Sequence, residues 1–276
     1  MKAAEILELT DLVCVEGSFA DLADPASADP VLSLDPEAGK LLVDEDEDLM
    51  AVAFRSGGTW YAANYLFHSP KTEVIDLFEG TEGDIYQEDR EVWTGAVREY
   101  YSEVIREEVR PSIEDIPPDR PGKIADLVTE VWGRQEGTIC IDCCCGSGVG
   151  AAALRSVVGM RTLAYDHDPA LIARGFEEGR LVPAETACID GTVATAYFRR
   201  VPYGTAFMMG TIRSFDSGIW ERLTLELLAL SGETLITVAT EEEARMVATW
   251  CRSAGRKPDV WESDRDPLYD RWVCLS

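Results

Sequence analysis

Apolar positions follow two different periods in the second half of the chain. Short apolar runs, each bounded by turn residues, alternate with segments in which apolar residues recur at helical spacing. This alternation predicts an α/β fold in which strands and helices follow one another. The predicted strands lie at about 138–142, 160–166, 187–190, 203–209, 233–238, 260–261 and 272–275, and the predicted helices at 121–133, 149–158, 220–230 and 241–253.

The first 90 residues have a weaker pattern. Residues 23–36 are rich in Asp, Pro, Ser and Ala, which predicts a loop. Apolar runs at 49–54 and 59–67 flank a Ser-Gly-Gly turn and predict a β-hairpin. We therefore expect a small, partly β subdomain here, followed by a helix at 88–109 whose aromatic and aliphatic positions face a core.

The most informative stretch joins the first strand of the second half to the next helix. An apolar run ends at Asp142, glycines follow at 146 and 148, and an alanine-rich helix begins at about Val149. Glycines in such a turn allow a ligand to approach the backbone, and the helix amides point toward the loop. The spacing to Gly150 does not match the G-x-G-x-x-G pattern of dinucleotide folds.

This stretch resembles motif I of the class I S-adenosylmethionine-dependent methyltransferases, an acid followed by three glycines at alternate positions. The corresponding positions are Asp142, Cys144, Gly146 and Gly148, with Ser147 inside the loop. Cys144 replaces the first glycine of the motif. The sequence Cys-Cys-Gly-Ser-Gly most resembles a variant of this motif found in some nucleic-acid methyltransferases of this class.

Two further acids stand where strands end. Asp166 follows the second strand, and the resemblance implies that it accepts hydrogen bonds from both ribose hydroxyls, with His167 packing on the adenine. Asp190, before Gly191, follows the third strand and corresponds to the acid that contacts the adenine amino group. The cofactor expected from the resemblance is S-adenosyl-L-methionine.

The resemblance also implies an architecture. It predicts a Rossmann-like seven-stranded sheet flanked by helices, with an antiparallel seventh strand and a smaller N-terminal α+β subdomain. The predicted domains are an acidic N-terminal subdomain at 1–90 that contributes to substrate binding, a helical connector at 91–118 and a methyltransferase domain at 119–276.

Four residues are candidates for roles in catalysis. His68 is a candidate base, while Tyr203, Thr211 and Arg213 are expected around the transferred methyl group, and Arg213 is suited to a substrate carboxylate. The loop after the fourth strand reads Met-Gly-Thr-Ile-Arg and lacks the Asn/Asp-Pro-Pro-aromatic motif of base methyltransferases. This difference argues against N-methylation of adenine or cytosine.

The net charge of the chain bears on which substrates and partners it can bind. The chain carries 51 acidic and 25 basic residues, a net charge of −26, and the excess of acids is concentrated in residues 1–120. Such a field repels phosphate backbones, which disfavours nucleic acid as substrate. Two explanations of the acidity stay open: adaptation to a salty cytoplasm, as in halophilic or methanogenic archaea, or a docking surface for a basic protein partner in the N-terminal part.

Cysteines and hydropathy give further expectations. Eight cysteines in a chain of this length, without a secretion leader, are expected to be reduced thiols in a cytoplasmic protein. Cys140 and Cys143 have a C-x-x-C spacing, but a strand would place them on opposite faces and no second pair completes a zinc site, so no metal is expected. No apolar run is long enough to span a membrane.

These observations lead to one hypothesis and two alternatives. The hypothesis is an S-adenosylmethionine-dependent methyltransferase that acts on a small molecule or a protein side chain. An RNA or DNA methyltransferase is the second candidate, and a non-catalytic cofactor-binding partner subunit is the third.

Overall fold

The computed structural model describes residues 2–213 and 215–276, and the chain divides into two compact units. One unit extends through Val104 and the other begins at Ile105. Within the described residues, no helix combines the length and the apolar character that crossing a membrane requires.

The N-terminal unit contains five strands and three helices, the last of which crosses the boundary. Its elements are α1 (Lys2–Ile6), β1 (Val13–Cys14), β2 (Ala38–Val43), β3 (Leu49–Ser56), β4 (Thr59–Asn64), α2 (Thr72–Glu79), β5 (Gly83–Gln87) and α3 (Arg90–Glu108). The predicted loop at 23–36 contains a short 3₁₀ turn, Asp29–Ser33.

The strands of this unit form one mixed sheet in the order β1-β4-β3-β2-β5. The predicted hairpin is confirmed, because β3 and β4 pair antiparallel from Ser56 and Thr59 at the turn to Ala51 and Asn64. Gly57 and Gly58 both have positive φ, 58° and 85°, which the two-residue hairpin turn requires.

An acidic turn connects β2 to β3. Asp44 is buried, and its carboxylate accepts backbone hydrogen bonds from Asp46 and Asp48 and forms an ion pair with Arg90 at 2.7 Å. The following four acids, residues 45–48, are exposed. One acid of the block therefore fixes the turn while the rest lie on the surface.

The boundary between the units differs from the predicted one at residue 90. It lies inside α3, because the first part of this helix belongs to the N-terminal core. Trp93, Val97 and Tyr101 are buried, and the Tyr101 hydroxyl donates to the backbone oxygen of Glu16 at 3.1 Å. The helix at 88–109 was predicted correctly, but its assignment to a separate connector was wrong.

The C-terminal unit alternates strands and helices, as the apolar pattern predicted. Its elements are α4 (Arg120–Trp132), β6 (Ile139–Cys143), α5 (Val149–Ala153), β7 (Arg161–Asp166), α6 (Pro169–Glu177), β8 (Thr186–Cys188), β9 (Val201–Ala206), α7 (Ser217–Leu230), β10 (Ser231–Val238), α8 (Glu241–Ser253), β11 (Asp259–Glu262) and β12 (Trp272–Leu275). A π-helical turn, Leu154–Val158, extends α5.

The seven strands of this unit form one sheet in the order β11-β12-β10-β9-β6-β7-β8. Strands β8, β7, β6, β9 and β10 are parallel, and β12 is antiparallel to β10. Counted from the first strand of the unit, the order is 3-2-1-4-5-7-6. This is the predicted methyltransferase sheet with its antiparallel seventh strand, so the fold prediction is confirmed.

Helices cover both faces of the sheet. On one face, Cys140, Leu235 and Val273 pack with apolar residues of α4 and α5 in a single core cluster. On the other face, α7 approaches so closely at Gly204 that a Cβ there would lie 2.9 Å from Leu227 Cδ1. Because helices cover both faces of the sheet, the carboxyl ends of the parallel strands form its open edge.

Candidate cofactor and active site

A cavity of the C-terminal unit lies where the carboxyl ends of β6 and β9 meet. The chain leaves β6 toward β7 on one side and later adds β9 on the other, and ligands of open α/β sheets bind at such switch points. The cavity has a volume of about 790 Å³. It is lined by residues from the loops after β6, β7, β8 and β9 and by parts of α4, α7 and the 263–271 segment.

The loop after β6 is left-handed at each of the three motif positions that follow Asp142. Cys144 has φ 53°, although it is not a glycine. Gly146 has φ 52°, and a Cβ on it would meet no atom within 4 Å, so its backbone is open to a ligand. Cys144 thus adopts a conformation that glycine takes up more readily.

The two later glycines of this loop have packing roles. Gly148 does not line the cavity; it has φ 77° at the start of α5, and a Cβ there would lie 2.5 Å from Leu181 Cδ2. Gly150, which was not among the predicted site residues, lines the cavity. A Cβ on Gly150 would lie 2.4 Å from Phe207 Cδ2 and 3.1 Å from Asp142 Oδ2.

Asp166 joins the loop after β6 to the end of β7. It is buried, its Oδ2 accepts a hydrogen bond from Gly146 N at 2.8 Å, and its Oδ1 accepts one from Asp168 N at 3.0 Å. Each carboxylate oxygen has a second lone pair for a ligand hydroxyl. His167 follows with an exposed side chain whose Nδ1 is 3.3 Å from Asp166 Oδ1.

The loop after β8 supplies the third acid. Asp190 is exposed, and its Oδ1 accepts a hydrogen bond from Thr192 N at 2.8 Å. Gly191 is buried, and a Cβ on it would lie 2.6 Å from Leu223 Cδ2. Both Asp190 and Gly191 line the cavity.

Asp142 is the acid deepest in the site. Only 1% of it is exposed, and its Oδ1 accepts a hydrogen bond from the Thr205 hydroxyl on the paired strand β9 at 2.8 Å. Burial raises its pKa to about 7, although the Thr205 hydroxyl and the Ala151 amide favour the ionised form. Burial therefore favours the protonated form of Asp142 over a wider pH range than for an exposed aspartate.

Glu114 is a site residue that the sequence did not indicate. Its Oε1 accepts a hydrogen bond from Arg180 Nη1 at 2.5 Å, and the same nitrogen donates to Ser147 Oγ at 3.0 Å. Burial opposes ionisation, but hydrogen bonds to Ser147 and Arg180 outweigh it and hold the pKa of Glu114 below its usual value. Glu114 Oε2 is buried and has no hydrogen-bond partner among the described residues.

A second set of unpredicted residues forms the wall on the β9 and β10 side. Met208 has φ 53°, and its amide donates to the Thr237 hydroxyl at 2.8 Å. The Thr237 hydroxyl donates to Asp270 Oδ1 at 2.5 Å, and Arg120 Nε donates to Asp270 Oδ2 at 3.0 Å. The Arg120 guanidinium also lies 5.0 Å from the centre of the Tyr269 ring.

Most of the predicted cofactor-binding residues come together in this cavity. Eight of the nine line it, and Gly148 lies just behind the loop. The eight are Asp142, Cys144, Gly146, Ser147, Asp166, His167, Asp190 and Gly191.

The predicted catalytic residues do not line the cavity, within the part of the chain that the structure describes. Tyr203 is a core residue whose ring centre is 4.8 Å from that of Trp132, because it lies three positions before the end of β9 and faces α4. Thr211 is exposed, and the exposed Arg213 contacts Phe215, with 5.9 Å from its guanidinium carbon to the ring centre. None of these three lines the cavity among the described residues, whereas Phe207 and Met208 do, and their roles around the methyl position stay predictions.

His68 lies in the N-terminal unit. It lines a small pocket of about 280 Å³ in that unit, and its Nδ1 is 3.1 Å from the backbone oxygen of Ser69. Its role as a base stays a prediction.

Comparisons with known proteins give structural similarity alone. No family model and no curated protein matches the sequence. Similar solved structures include magnesium protoporphyrin IX methyltransferase from Synechocystis with bound SAM (12% identity, TM-score 0.45, 66% of this chain and 95% of that one). Others are a TehB-like SAM-dependent methyltransferase from Corynebacterium glutamicum (16%, 0.43, 65% and 96%) and ribosomal protein L11 methylase from Lactobacillus delbrueckii (13%, 0.44, 58% and 78%).

The fold assignment rests on the strand order itself. The 3-2-1-4-5-7-6 order with an antiparallel seventh strand, together with a ligand-sized cavity at the switch point, defines the class I methyltransferase fold. The C-terminal unit has this fold.

Proposed function

We propose that the C-terminal unit binds S-adenosyl-L-methionine and transfers its methyl group to a small molecule or a protein side chain. The observation that carries the proposal is the hydrogen bond from Gly146 N to Asp166 Oδ2 at 2.8 Å on the wall of the cavity. It brings an open glycine backbone and a ribose-binding carboxylate together at the switch point of a methyltransferase sheet.

The residues of the cavity fit this cofactor. Asp166 has free lone pairs that suit the ribose hydroxyls, and the exposed carboxylate of Asp190 on the cavity wall suits the adenine amino group. Glu114 Oε2 is a buried acceptor without a partner among the described residues, beside the Ser147 loop, and it suits the ammonium group of the methionine part. When bound, the cofactor supplies a methyl group already activated by its sulfonium.

The protein contributes position and exclusion of water. Phe207 and Met208 close the cavity with apolar side chains, and the left-handed Met208 is held through its amide by Thr237. Fixing the acceptor in line with the methyl carbon converts a bimolecular step into an effectively unimolecular one. The lowered pKa of Glu114 makes it an anchor for a cation and a poor general base.

Nucleic acid is the less favoured acceptor. The acids Asp142, Asp166 and Asp190 line the cavity, and the net charge is −26. Phosphate backbones bind by releasing counterions to clustered Lys and Arg, which this balance opposes. A gel shift at low salt tests the alternative, since tight binding of RNA or DNA would reverse the ranking.

A non-catalytic partner subunit is favoured by one observation, the exposed acids at 45–48 in the N-terminal unit. They offer a surface to a basic protein. Co-purification with such a protein, without turnover on any acceptor, supports this alternative.

Isothermal titration calorimetry tests the main proposal. S-adenosylmethionine and S-adenosylhomocysteine are expected to bind with micromolar affinity, about −8 kcal/mol, whereas NADH does not bind. Asp166→Asn is expected to weaken binding at least tenfold. Asp126→Asn removes the same charge from an exposed position on α4 and is expected to bind as the wild type does. Absence of binding by the wild-type protein overturns the proposal.

A further inference from the structure

The cavity has two halves of different chemistry. One half contains the loops after β6, β7 and β8 together with Glu114 beside Ser147, and it holds every acid that lines the cavity among the described residues. The other half, named here the acceptor half, lies on the β9 and β10 side and consists of Arg120, Phe207, Met208, Ile219, Trp220 and Tyr269.

The acceptor half is mainly apolar and aromatic. Ile219 is 56% exposed although it lines the cavity. An apolar side chain left partly in water on the wall of a pocket favours an apolar ligand.

Two polar side chains of the acceptor half, Arg120 and Trp220, have donor groups without a partner among the described residues. Arg120 uses Nε and Nη2 for Asp270, and among the described residues its Nη1 has no hydrogen-bond partner. The indole Nε1 of Trp220 is buried, also without a partner there. Neither group is an acceptor, so a ligand that satisfies them must bring acceptor oxygens.

Arg120 is held in place for such a role. Its ion pair with Asp270 and its stacking on Tyr269 fix the guanidinium plane, and its side chain is 12% exposed. Asp270 is in turn fixed by the Thr237 hydroxyl. An arginine held on one edge keeps the rest of its donor fork for a carboxylate.

We propose that the acceptor half binds a ring-bearing apolar carboxylate, with Arg120 as the residue that binds its carboxylate group. The inference rests on the proposed function, since it names the substrate class of that site. It transfers the carboxylate-binding role from the exposed Arg213 to Arg120 on the cavity wall.

The test uses three naphthalene probes of one shape and different charge. Binding of 1-naphthoate, 1-naphthalenemethanol and 1-naphthylmethylammonium is measured by calorimetry on protein saturated with S-adenosylhomocysteine. Saturation is checked first, so failure of the proposed cofactor site is seen separately from failure of the acceptor site. The expected result is that 1-naphthoate binds at least tenfold more tightly than either other probe.

Variants assign the preference to Arg120. Arg120→Gln combined with Asp270→Asn removes both charges and keeps groups able to hydrogen-bond, and it is expected to bring 1-naphthoate and the alcohol within threefold of each other. Asp270→Asn alone frees the guanidinium and is expected to keep or increase the preference. Arg245→Gln, on the exposed face of α8, serves as the control for removal of one charge.

Three results overturn the proposal. One is equal binding of the anion and the alcohol by the wild-type protein, or tighter binding of the ammonium probe. Another is loss of the preference in Arg213→Gln with retention in the Arg120→Gln/Asp270→Asn variant. The third is absence of binding of all three probes to protein that is saturated with S-adenosylhomocysteine.

Discussion

At the scale of single residues, the loop after β6 has a non-glycine residue in a conformation that favours glycine. Cys144 stands in the left-handed region at φ 53°, where an L-residue is disfavoured by roughly 1–2 kcal/mol. Cys145 N donates to Tyr165 O at 3.0 Å and Gly148 N donates to Cys145 O at 2.8 Å, so the surrounding loop fixes this conformation. Met208, also at φ 53°, lines the same cavity. Two of the four described non-glycine residues with positive φ therefore lie on the cavity wall, and the other two, Glu8 and Glu47, lie in the N-terminal unit.

Asp142 gives a prediction about pH. Its folded-state pKa of about 7 lies above the value of about 3.9 in an unfolded chain, so the folded state holds the proton between these two values. Stability therefore falls as pH rises through this window. Nearby Asp166 opposes ionisation of Asp142, while Arg120 and the Thr205 hydroxyl favour it.

Asp142→Asn removes this titration and keeps an oxygen that accepts from Thr205. Relative to the wild type, its free energy of unfolding is expected to rise by up to about 3 kcal/mol between pH 5 and pH 8. Urea denaturation across this range measures the difference, with Asp126→Asn as the control. Parallel pH profiles for wild type and Asp142→Asn would show that Asp142 ionises normally in the folded protein.

At the scale of elements, local sequence predicted most strands and helices of the C-terminal unit but missed α6. The hairpin and the loop after β6 follow from apolar period and glycine spacing within about 20 residues, whereas the order of strands in the sheet came from the family resemblance. Arg120 and Asp270 are 150 positions apart and meet only through packing of the whole unit. Tyr203 packs against Trp132 of α4 because β9 ends at Ala206, and the end of a strand sets which side chains reach the loop.

The substitution Gly150→Ala tests how closely α5 must approach the residues that follow β9. A Cβ on Gly150 would lie 2.4 Å from Phe207 Cδ2, so Gly150→Ala must displace that ring or the helix. The expected cost is roughly 1–3 kcal/mol of stability, with weaker binding of S-adenosylhomocysteine, because Phe207 and Asp142 both line the cavity.

Gly122 provides the matched control on α4. A Cβ there meets no atom within 4 Å, so Gly122→Ala is expected to stabilise the protein by up to about 1 kcal/mol. Thermal unfolding and calorimetry measure both variants. Equal stability of Gly150→Ala and wild type would show that the contact between α5 and Phe207 is loose.

At the scale of the whole molecule, the net charge of −26 is the dominant property. Self-repulsion among surface acids opposes folding and is screened by salt, whereas exposed ion pairs such as Arg245 with Glu241 are weakened by it. The excess of acids over bases is large, so repulsion outweighs the pairs. The two explanations of the acidity, adaptation to salt and a docking surface, predict different effects of neutralising a local block of acids on stability and on binding to a basic partner.

The exposed acids 45–48 give the sharpest test. If repulsion governs stability, the melting temperature of the wild type rises by roughly 5–10 °C between 0.05 and 1 M NaCl. The variant Glu45→Gln/Glu47→Gln/Asp48→Asn is then more stable at low salt and gains less from salt, because three repelling charges are gone. Glu45→Asp/Asp46→Glu/Asp48→Glu keeps the charge and is expected to follow the wild type. Asp44 is left intact in both variants, since its ion pair with Arg90 fixes the turn.

If the neutralised variant has the wild-type salt profile but loses retention on a polylysine column, the acids form a docking surface and adaptation to salt is rejected as their explanation.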